Sequence, residues 1–165
     1  MAYMNNVYLL TGGNVGNRQQ YLKESIRLIE HTCGKIVTRS AIYETAAWGK
    51  TDQAAFLNQA LQLSTALQPA HLMKQLLQIE ETAGRKRAEK YGPRTIDIDI
   101  LLFNDQIINT PLLTIPHPQM SSRRFVLEPL NEIASGYIHP LLKKTIHQLL
   151  QACSDPLPVK KFSPV

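Results

Sequence analysis

The pattern of hydrophobic and polar residues predicts alternating strands and helices up to about residue 103. Apolar residues at helical spacing indicate a helix around residues 22–33 and a second one that opens at Pro69 and ends before Gly84. Runs of β-branched and alternating residues predict strands over residues 3–10, 35–44, 57–65 and 95–103. The predicted order is therefore β-α-β-β-α-β.

This order is that of the ferredoxin-like plait, an α+β fold in which two helices cover one face of an antiparallel sheet. The other face needs a cover or a ligand. Residues 123–133 and 145–153 have the pattern of two additional C-terminal helices, and they follow a Pro-His-Pro bend at residues 116–118. We expect these helices to cover that second face.

The chain shows no internal repeat and no linker, so we interpret residues 1–165 as a single domain. Residues 11–17 contain three glycines and are interpreted as a tight turn after the first strand. Residues 154–165 contain three prolines and are expected to form a Pro-rich, ragged C-terminal tail.

Composition narrows the class of protein. The 165 residues are 44% hydrophobic and 19% charged, which suits a soluble globular domain. The two cysteines, Cys33 and Cys153, are isolated in sequence, so neither a zinc site nor a disulfide framework is expected. A reduced, cytoplasmic location follows. Apolar runs such as residues 98–103 are far shorter than the roughly 20 residues of a membrane span, so no membrane insertion is expected.

The net charge of +5 is concentrated in one segment. Residues 84–94 contain five cations and one anion, whereas the rest of the chain holds 13 cations and 12 anions. Such a concentration of positive charge attracts phosphates and other anions. The alternative is an ordinary solvated surface loop.

Two aspartates open the last predicted strand. Because side chains alternate along a strand, Asp97 and Asp99 should share a face with Leu101 and Phe103. The opposite face should carry Ile96, Ile98 and Ile100. Two carboxylates close to buried apolar residues need cations, and Mg²⁺ takes such a pair when water and phosphate oxygens supply its other ligands. The alternative is an edge strand with solvated aspartates.

The basic segment ends where the aspartate strand begins, so groups for binding phosphate and for binding magnesium are adjacent in sequence. Phosphoryl transfer requires this combination for positioning and charge neutralisation. Arginine can bind phosphate through two donors, so Arg85, Arg87 and Arg94 are preferred over the lysines of the segment.

The pattern alone does not assign a function to several further residues. His117 lies between two prolines, where it could direct its imidazole at a phosphate or have a structural role. Arg123 and Arg124 could be functional in the same way or could be helix-surface charges. Phe56 and Phe125 are, by composition, ordinary core residues.

The motifs together resemble a known enzyme family. They are GRKR at residues 84–87, YGPRTIDIDIL at 91–101, PHP at 116–118 and RRFVLEPL at 123–130. The chain resembles the 6-hydroxymethyl-7,8-dihydropterin pyrophosphokinases of folate biosynthesis, from the first strand to about residue 133. The resemblance implies transfer of pyrophosphate from ATP to the hydroxymethyl group of the pterin, with two Mg²⁺ ions and release of AMP.

The resemblance also implies roles for individual residues. Asp97 and Asp99 would bind both magnesium ions, and Arg85 and Arg94 would be catalytic by holding the phosphates. The residues implied in ATP binding are Glu80, Arg85, Arg87, Arg94, Ile98, Thr114, His117 and Arg123.

For the pterin, the resemblance implies a ring stacked between two aromatic side chains. Those side chains would be Phe56 and Phe125, which reverses their reading as core residues, and Asn58 would bind the edge of the ring. The residues implied in pterin binding are Thr45, Trp48, Phe56, Asn58, Asp97 and Phe125.

Two other functions match parts of the pattern. A basic plait domain could bind single-stranded RNA on its sheet, but Asp97 and Asp99 would repel a phosphate backbone. A small-molecule regulatory domain would not need the pairing of carboxylates with arginines. We therefore expect ATP and the pterin as partners, without nucleic acid or membrane, in a monomer or weak homodimer.

Overall fold

The structure, a computed structural model, describes residues 3–46, 54–83 and 95–164. The strands are β1 (Asn5–Gly13), β2 (Lys35–Arg39), β3 (Tyr43–Thr45), β4 (Phe56–Thr65), β5 (Asp97–Phe103), β6 (Ile108–Asn109), β7 (Thr114–Ile115) and β8 (Val159–Lys161). The helices are α1 (Arg18–Thr32), α2 (Pro69–Thr82), α3 (Arg124–Ala134) and α4 (Ile146–Ala152). No helix within the described ranges has the length and apolar character to cross a membrane.

The large sheet has the strand order β5-β1-β4-β3-β8, with β2 also paired to β4, and its pairs are antiparallel. One face packs against α1 and α2 through apolar residues that include Leu9, Leu61 and Leu76. The other face packs against α3 and α4, with Leu10 and Leu127 in that second core. The predicted α+β fold is confirmed, and the two C-terminal helices cover the second face as expected.

The segment predicted as one strand over residues 35–44 is two strands, because residues 40–42 lie outside both of them. The backbone N–H of Ser40 donates to the Ala60 carbonyl at 2.9 Å, and the Ala60 N–H donates to the Ser40 hydroxyl oxygen at 2.9 Å. The hydroxyl accepts the bond that a strand carbonyl would otherwise accept. Both backbone donors are therefore satisfied at an interruption of the strand that alternation in the sequence does not reveal.

A β-bulge changes which side chains of β5 share a face. Tyr8 pairs with Leu102, whereas Leu9 pairs with Ile100, so Leu101 is an extra residue. As a result Leu102 as well as Leu101 joins the core beneath α3 and α4, and Phe103 joins the core beneath α1 and α2. The prediction that Phe103 shares a face with the aspartates is wrong for this reason.

The first strand is longer than predicted, because Gly12 and Gly13 belong to β1 rather than to a turn. They pair with Asn58 and Leu57 of β4. The turn is confined to the residues that follow, and the Asn17 side chain caps α1 by accepting the Gln20 N–H at 3.1 Å.

The C-terminal tail is partly ordered by pairing with β3. Tyr43, Glu44 and Thr45 are in register with Lys161, Lys160 and Val159. The prediction of a ragged tail is therefore wrong for residues 159–161.

Candidate active site

A row of four residues crosses the sheet at the end where β1 finishes. The pairings run from Tyr43 on β3 to Asn58 on β4, then to Gly12 on β1 and to Asp97 on β5. Directly opposed residues in antiparallel strands share a face, and this face is the one that α3 and α4 partly cover. Because Gly12 has no side chain, the Asn58 amide occupies the space that a Cβ on Gly12 would need. The Cα atoms of Asn58 and Asp97 are about 10 Å apart at ordinary strand spacing.

The two aspartates lie on this same face of β5. Asp97 is opposite Gly12 and Asp99 is opposite Leu10, and both aspartates are partly buried at the margin of an apolar core. In the described part of the chain, no group of three or more His, Cys, Asp or Glu side chains could enclose a metal ion. An ion held by these two carboxylates would keep its other positions for water or phosphate oxygens, which is the habit of Mg²⁺. The residues present therefore fit magnesium.

Glu80, in the last turn of α2, connects that helix to the aspartate strand. Its side chain is 4% exposed, and its Oε2 accepts the backbone N–H of Ile98 at 2.7 Å. The Ile98 side chain is buried in the core beneath α1 and α2. Glu80 therefore fixes the backbone between Asp97 and Asp99, and Ile98 can offer a ligand only its backbone.

His117 is held beside β5 by two hydrogen bonds. Its backbone N–H donates to the Leu101 carbonyl at 2.9 Å, and its Nδ1 accepts the Gln119 N–H at 3.2 Å. An accepting Nδ1 assigns the neutral ring's proton to Nε2. Burial, together with the positive charge of Arg123, lowers the pKa of His117 to about 4. The residue is thus a neutral donor near pH 7.

Arg123 and Phe125 lie next to His117 at the start of α3. The Arg123 guanidinium carbon lies 5.6 Å from the centroid of the Phe125 ring, and the guanidinium also donates to the Gln119 side chain. The Phe125 ring is partly buried against the core beneath α3 and α4. Gln119 therefore connects His117 with Arg123, and Arg123 in turn connects with Phe125.

Thr45 and Phe56 face each other across β3 and β4. Thr45 is buried, and its hydroxyl donates to the Pro158 carbonyl at 3.1 Å, while Phe56 is partly exposed at the strand end. Phe56 is two residues from Asn58 and so points to the same side of the sheet. Thr114, by contrast, is an exposed residue of β7 paired with Asn109.

The model of the 7,8-dihydro-6-hydroxymethylpterin-pyrophosphokinase family matches residues 8–135, which is most of the chain. The chain belongs to this family. Curated relatives agree with the match. A 2-amino-4-hydroxy-6-hydroxymethyldihydropteridine pyrophosphokinase of Aquifex aeolicus is 42% identical over 145 residues, 88% of this chain and 90% of the relative. The Bacillus subtilis protein of the same description is 47% identical over 132 residues, 79% of each chain.

Solved structures support the fold. A crystal structure of Plasmodium falciparum HPPK-DHPS with SDX-DHP has a TM-score of 0.71 and 20% sequence identity, and the match covers 90% of this chain. The chain spans less than half of that longer protein, 43% of its length. At this identity the similarity concerns the fold alone, and it agrees with the family assignment.

Some of the implied site residues lie outside the described residues. These are Trp48 and the arginines of the basic segment, Arg85, Arg87 and Arg94. Their roles stay predictions. The described residues on either side of the basic segment are the end of α2, with Glu80, and the start of β5, with Asp97.

Two positions near the pyrophosphokinase site were missed by sequence reasoning. Gly12 was interpreted as a turn residue, although it separates Asn58 from Asp97. Arg18 donates to Glu44 Oε2 at 3.0 Å and to the Ala55 carbonyl at 2.7 Å, and thereby connects β3 with the residue before Phe56. Neither Arg18 nor Glu44 carries a local sequence signal for these contacts.

The depressed pKa of His117 predicts a loss of stability in acid. The unfolded chain takes up a proton near pH 6.5, whereas the folded chain resists it down to about pH 4, so stability is fully present above pH 6.5 and falls between these values. By this linkage His117→Asn should flatten the dependence of the unfolding free energy between pH 7 and 4.5 by about 2 kcal/mol. Guanidinium unfolding at several pH values measures this difference.

A matched control is His71→Asn, because His71 is exposed on α2. Equal flattening in both variants would contradict the assignment to His117. The unfolding free energy of His117→Asn should still fall somewhat in acid because of His139, since burial lowers the pKa of that residue as well.

Proposed function

We propose that the family's reaction, transfer of pyrophosphate from ATP to the hydroxymethyl group of 6-hydroxymethyl-7,8-dihydropterin, takes place on the face of the sheet beneath α3. The observation that carries this location is the row from Asn58 through Gly12 to Asp97, in which the Asn58 amide lies over the glycine. The row has the Asn58 amide, which can bind a heterocycle, on the β4 side and the Asp97 carboxylate, which can bind a metal, on the β5 side. The reacting groups of the two substrates would meet between them.

The pterin subsite would lie on the β3–β4 side of this row. Asn58 is 5% exposed, and its amide can both donate to and accept from the ring edge. Phe56, on the same side of β4, and Phe125, at the start of α3, would provide the two flat surfaces for stacking. Thr45 would complete this side through its backbone, because its hydroxyl already donates to Pro158.

The nucleotide subsite would lie on the β5 side. His117 presents an Nε2–H donor, and Arg123 adds a positive charge close to it. Both suit phosphate oxygens. Arg85, Arg87 and Arg94 would add further donors from the segment that immediately precedes β5, and Thr114 and the Ile98 backbone would contact the rest of the nucleotide.

Asp97 and Asp99 would together bind two Mg²⁺ ions. Bound Mg²⁺ would neutralise phosphate charge and orient the phosphates. Glu80 would support magnesium binding indirectly, because its carboxylate accepts the Ile98 N–H and so holds the backbone between the two aspartates.

The chain's own residues would then act by binding and orientation. A bond forms between the pterin hydroxymethyl oxygen and the β-phosphorus of ATP, while the bond from the β-phosphorus to the oxygen of the α-phosphate breaks. AMP leaves, and the net reaction releases the hydroxyl proton. Stacking and the Asn58 amide would aim the hydroxyl, and His117 with the arginines would hold the phosphates in line.

We further propose a cytoplasmic enzyme, monomeric or weakly dimeric, that binds neither nucleic acid nor membrane. The RNA-binding alternative is less well supported, since the sheet face that would receive RNA carries two aspartates and is partly covered by α3 and α4. Phosphate backbones avoid such a surface.

The direct test is an incubation of the chain with ATP, Mg²⁺ and 6-hydroxymethyl-7,8-dihydropterin, followed by chromatography of the nucleotides. We expect AMP and the pterin diphosphate in equal amounts, and no AMP when either the pterin or Mg²⁺ is omitted. Formation of ADP would instead indicate an ordinary kinase. Absence of any turnover would contradict the proposal.

A further inference from the structure

The C-terminal segment of residues 153–162, here called the C-terminal strap, contacts both elements that border the pterin subsite. It follows α4, runs past the start of α3 and ends as β8 beside β3. None of the roles implied by the family motifs falls on this segment. Its contacts with the two elements are nevertheless specific and polar.

The first set of contacts fixes the start of α3. Asp155 is 6% exposed, and its Oδ2 accepts the backbone N–H of Arg124 at 3.0 Å. Arg123, at the N-cap of this helix, makes no side-chain capping bond, and the first turn holds no acidic residue. The carboxylate of Asp155 therefore supplies the capping group and the negative charge that a helix N-terminus favours.

The Arg124 side chain completes this contact from the helix side. Its Nε donates to the Asp155 carbonyl at 3.2 Å, and its Nη2 donates to the Cys153 carbonyl at 2.9 Å. Two backbone carbonyls of the strap are thus bound to the residue immediately before Phe125. Any displacement of the strap would be transmitted to the position of that ring.

The second set of contacts fixes β3. The Pro158 carbonyl accepts the Thr45 hydroxyl at 3.1 Å, and β8 pairs with β3. At the far end of the strap, the Phe162 N–H donates to the Ile42 carbonyl at 2.8 Å. The backbone of β3 is therefore held on one side by β4 and on the other by the strap.

A third contact extends the strap toward Phe56. The Arg18 guanidinium carbon lies 5.6 Å from the centroid of the Phe162 ring, a cation–π geometry. The same guanidinium binds Glu44 and the carbonyl of Ala55, the residue before Phe56. Through Arg18 the strap thus reaches the strand end that carries the second aromatic ring.

We propose that the C-terminal strap sets the separation of the two walls of the pterin subsite, with Asp155 and Arg124 as positioning residues. This inference rests on the proposed function, because it assigns the pterin to the space between Phe56 and Phe125. Stacking demands a fixed ring separation, and small displacements of binding groups are costly in affinity and rate.

Because of its position in the sheet, the strap should affect pterin binding more than nucleotide binding. β8 is at one edge of the sheet and β5, with Asp97 and Asp99, is at the opposite edge. A strap that only stabilised the fold would affect both substrates alike. A strap that positions the pterin walls should affect the pterin far more than the nucleotide.

The experiment compares the full chain with a chain that ends at Pro158, which lacks β8, and with Asp155→Asn, which keeps the side-chain shape. The probes are 6-hydroxymethylpterin, measured by fluorescence with saturating α,β-methylene-ATP and Mg²⁺, and α,β-methylene-ATP alone with Mg²⁺. We expect the pterin dissociation constant to rise about tenfold in both variants, with little change for the nucleotide. KM for the dihydropterin should rise more than kcat falls.

A chain that ends at Phe162 is the matched control for truncation, because it keeps β8 and should bind like the full chain. Parallel weakening of pterin and nucleotide binding, in step with a lower Tm, would overturn the inference, as would unchanged pterin binding in Asp155→Asn. These results require a full chain that binds pterin. A full chain that binds none would contradict the proposed function itself, and the inference with it.

Discussion

Asp97→Ala is expected to lower AMP formation by at least about a thousandfold, which corresponds to roughly 4 kcal/mol of transition-state stabilisation. The Asp97 side chain lies opposite Gly12 on the sheet face that also carries Asn58, where it would bind magnesium next to the phosphates. The fold should persist, because the bonds between β1 and β5 are made by the backbone. The measurement is the rate of AMP formation as a function of Mg²⁺ concentration, with far-ultraviolet circular dichroism to verify the fold.

The matched control is Asp105→Ala, because Asp105 is an exposed aspartate just beyond the other end of the same strand. It should retain full activity and the same dependence on Mg²⁺. If Asp97→Ala still turned over substrate in a magnesium-dependent manner, the metal would have to be held elsewhere. The assignment of the two aspartates would then fail.

The local periodicity of apolar residues predicted the helices that bury one face against the sheet. α1 and α2 were found from apolar residues at helical spacing, and those residues form the core beneath the sheet. Features that depend on distant partners were missed. The interruption at Ser40 involves hydrogen bonds with Ala60, and β8 pairs with the edge of β3. No pattern within either segment encodes its partner.

The candidate site likewise contains some residues with a local sequence signal and others without one. Asp97 and Asp99 stand out in the sequence because carboxylates among apolar residues are unusual, whereas the role of His117 is implied by the family resemblance. The functions of all three stay predictions. Gly12 was missed because two adjacent glycines after a strand usually indicate a turn, whereas here Gly12 lies inside a three-strand register. Asp155 was missed because an aspartate in a Pro-rich tail has no local signal, and its importance comes only from the N–H of Arg124.

Gly12→Ala is expected to disrupt the pterin subsite directly. A Cβ on Gly12 would overlap with the Asn58 Oδ1 and would lie 3.2 Å from the Leu57 carbonyl oxygen. The Asn58 amide would have to leave its position, and the loss of its proposed bonds to the pterin should cost about 1–3 kcal/mol, or roughly 5- to 150-fold in affinity. Overpacking should also lower the unfolding free energy by about 1–3 kcal/mol. Pterin fluorescence titration and guanidinium unfolding measure the two effects.

Gly136→Ala is the control for the added methyl group, because a Cβ there would have no neighbouring atom within 4 Å. The overlap with Asn58 can itself be tested by a double-mutant cycle. If the clash is the cause, Asn58→Ala should relieve part of the instability of Gly12→Ala, so that the two changes together cost less than their sum. Strict additivity would show that the instability of Gly12→Ala does not come from the overlap with Asn58. Normal pterin affinity in Gly12→Ala would show that the position opposite Asp97 tolerates a side chain, and the Asn58 amide could not then bind the pterin from this position.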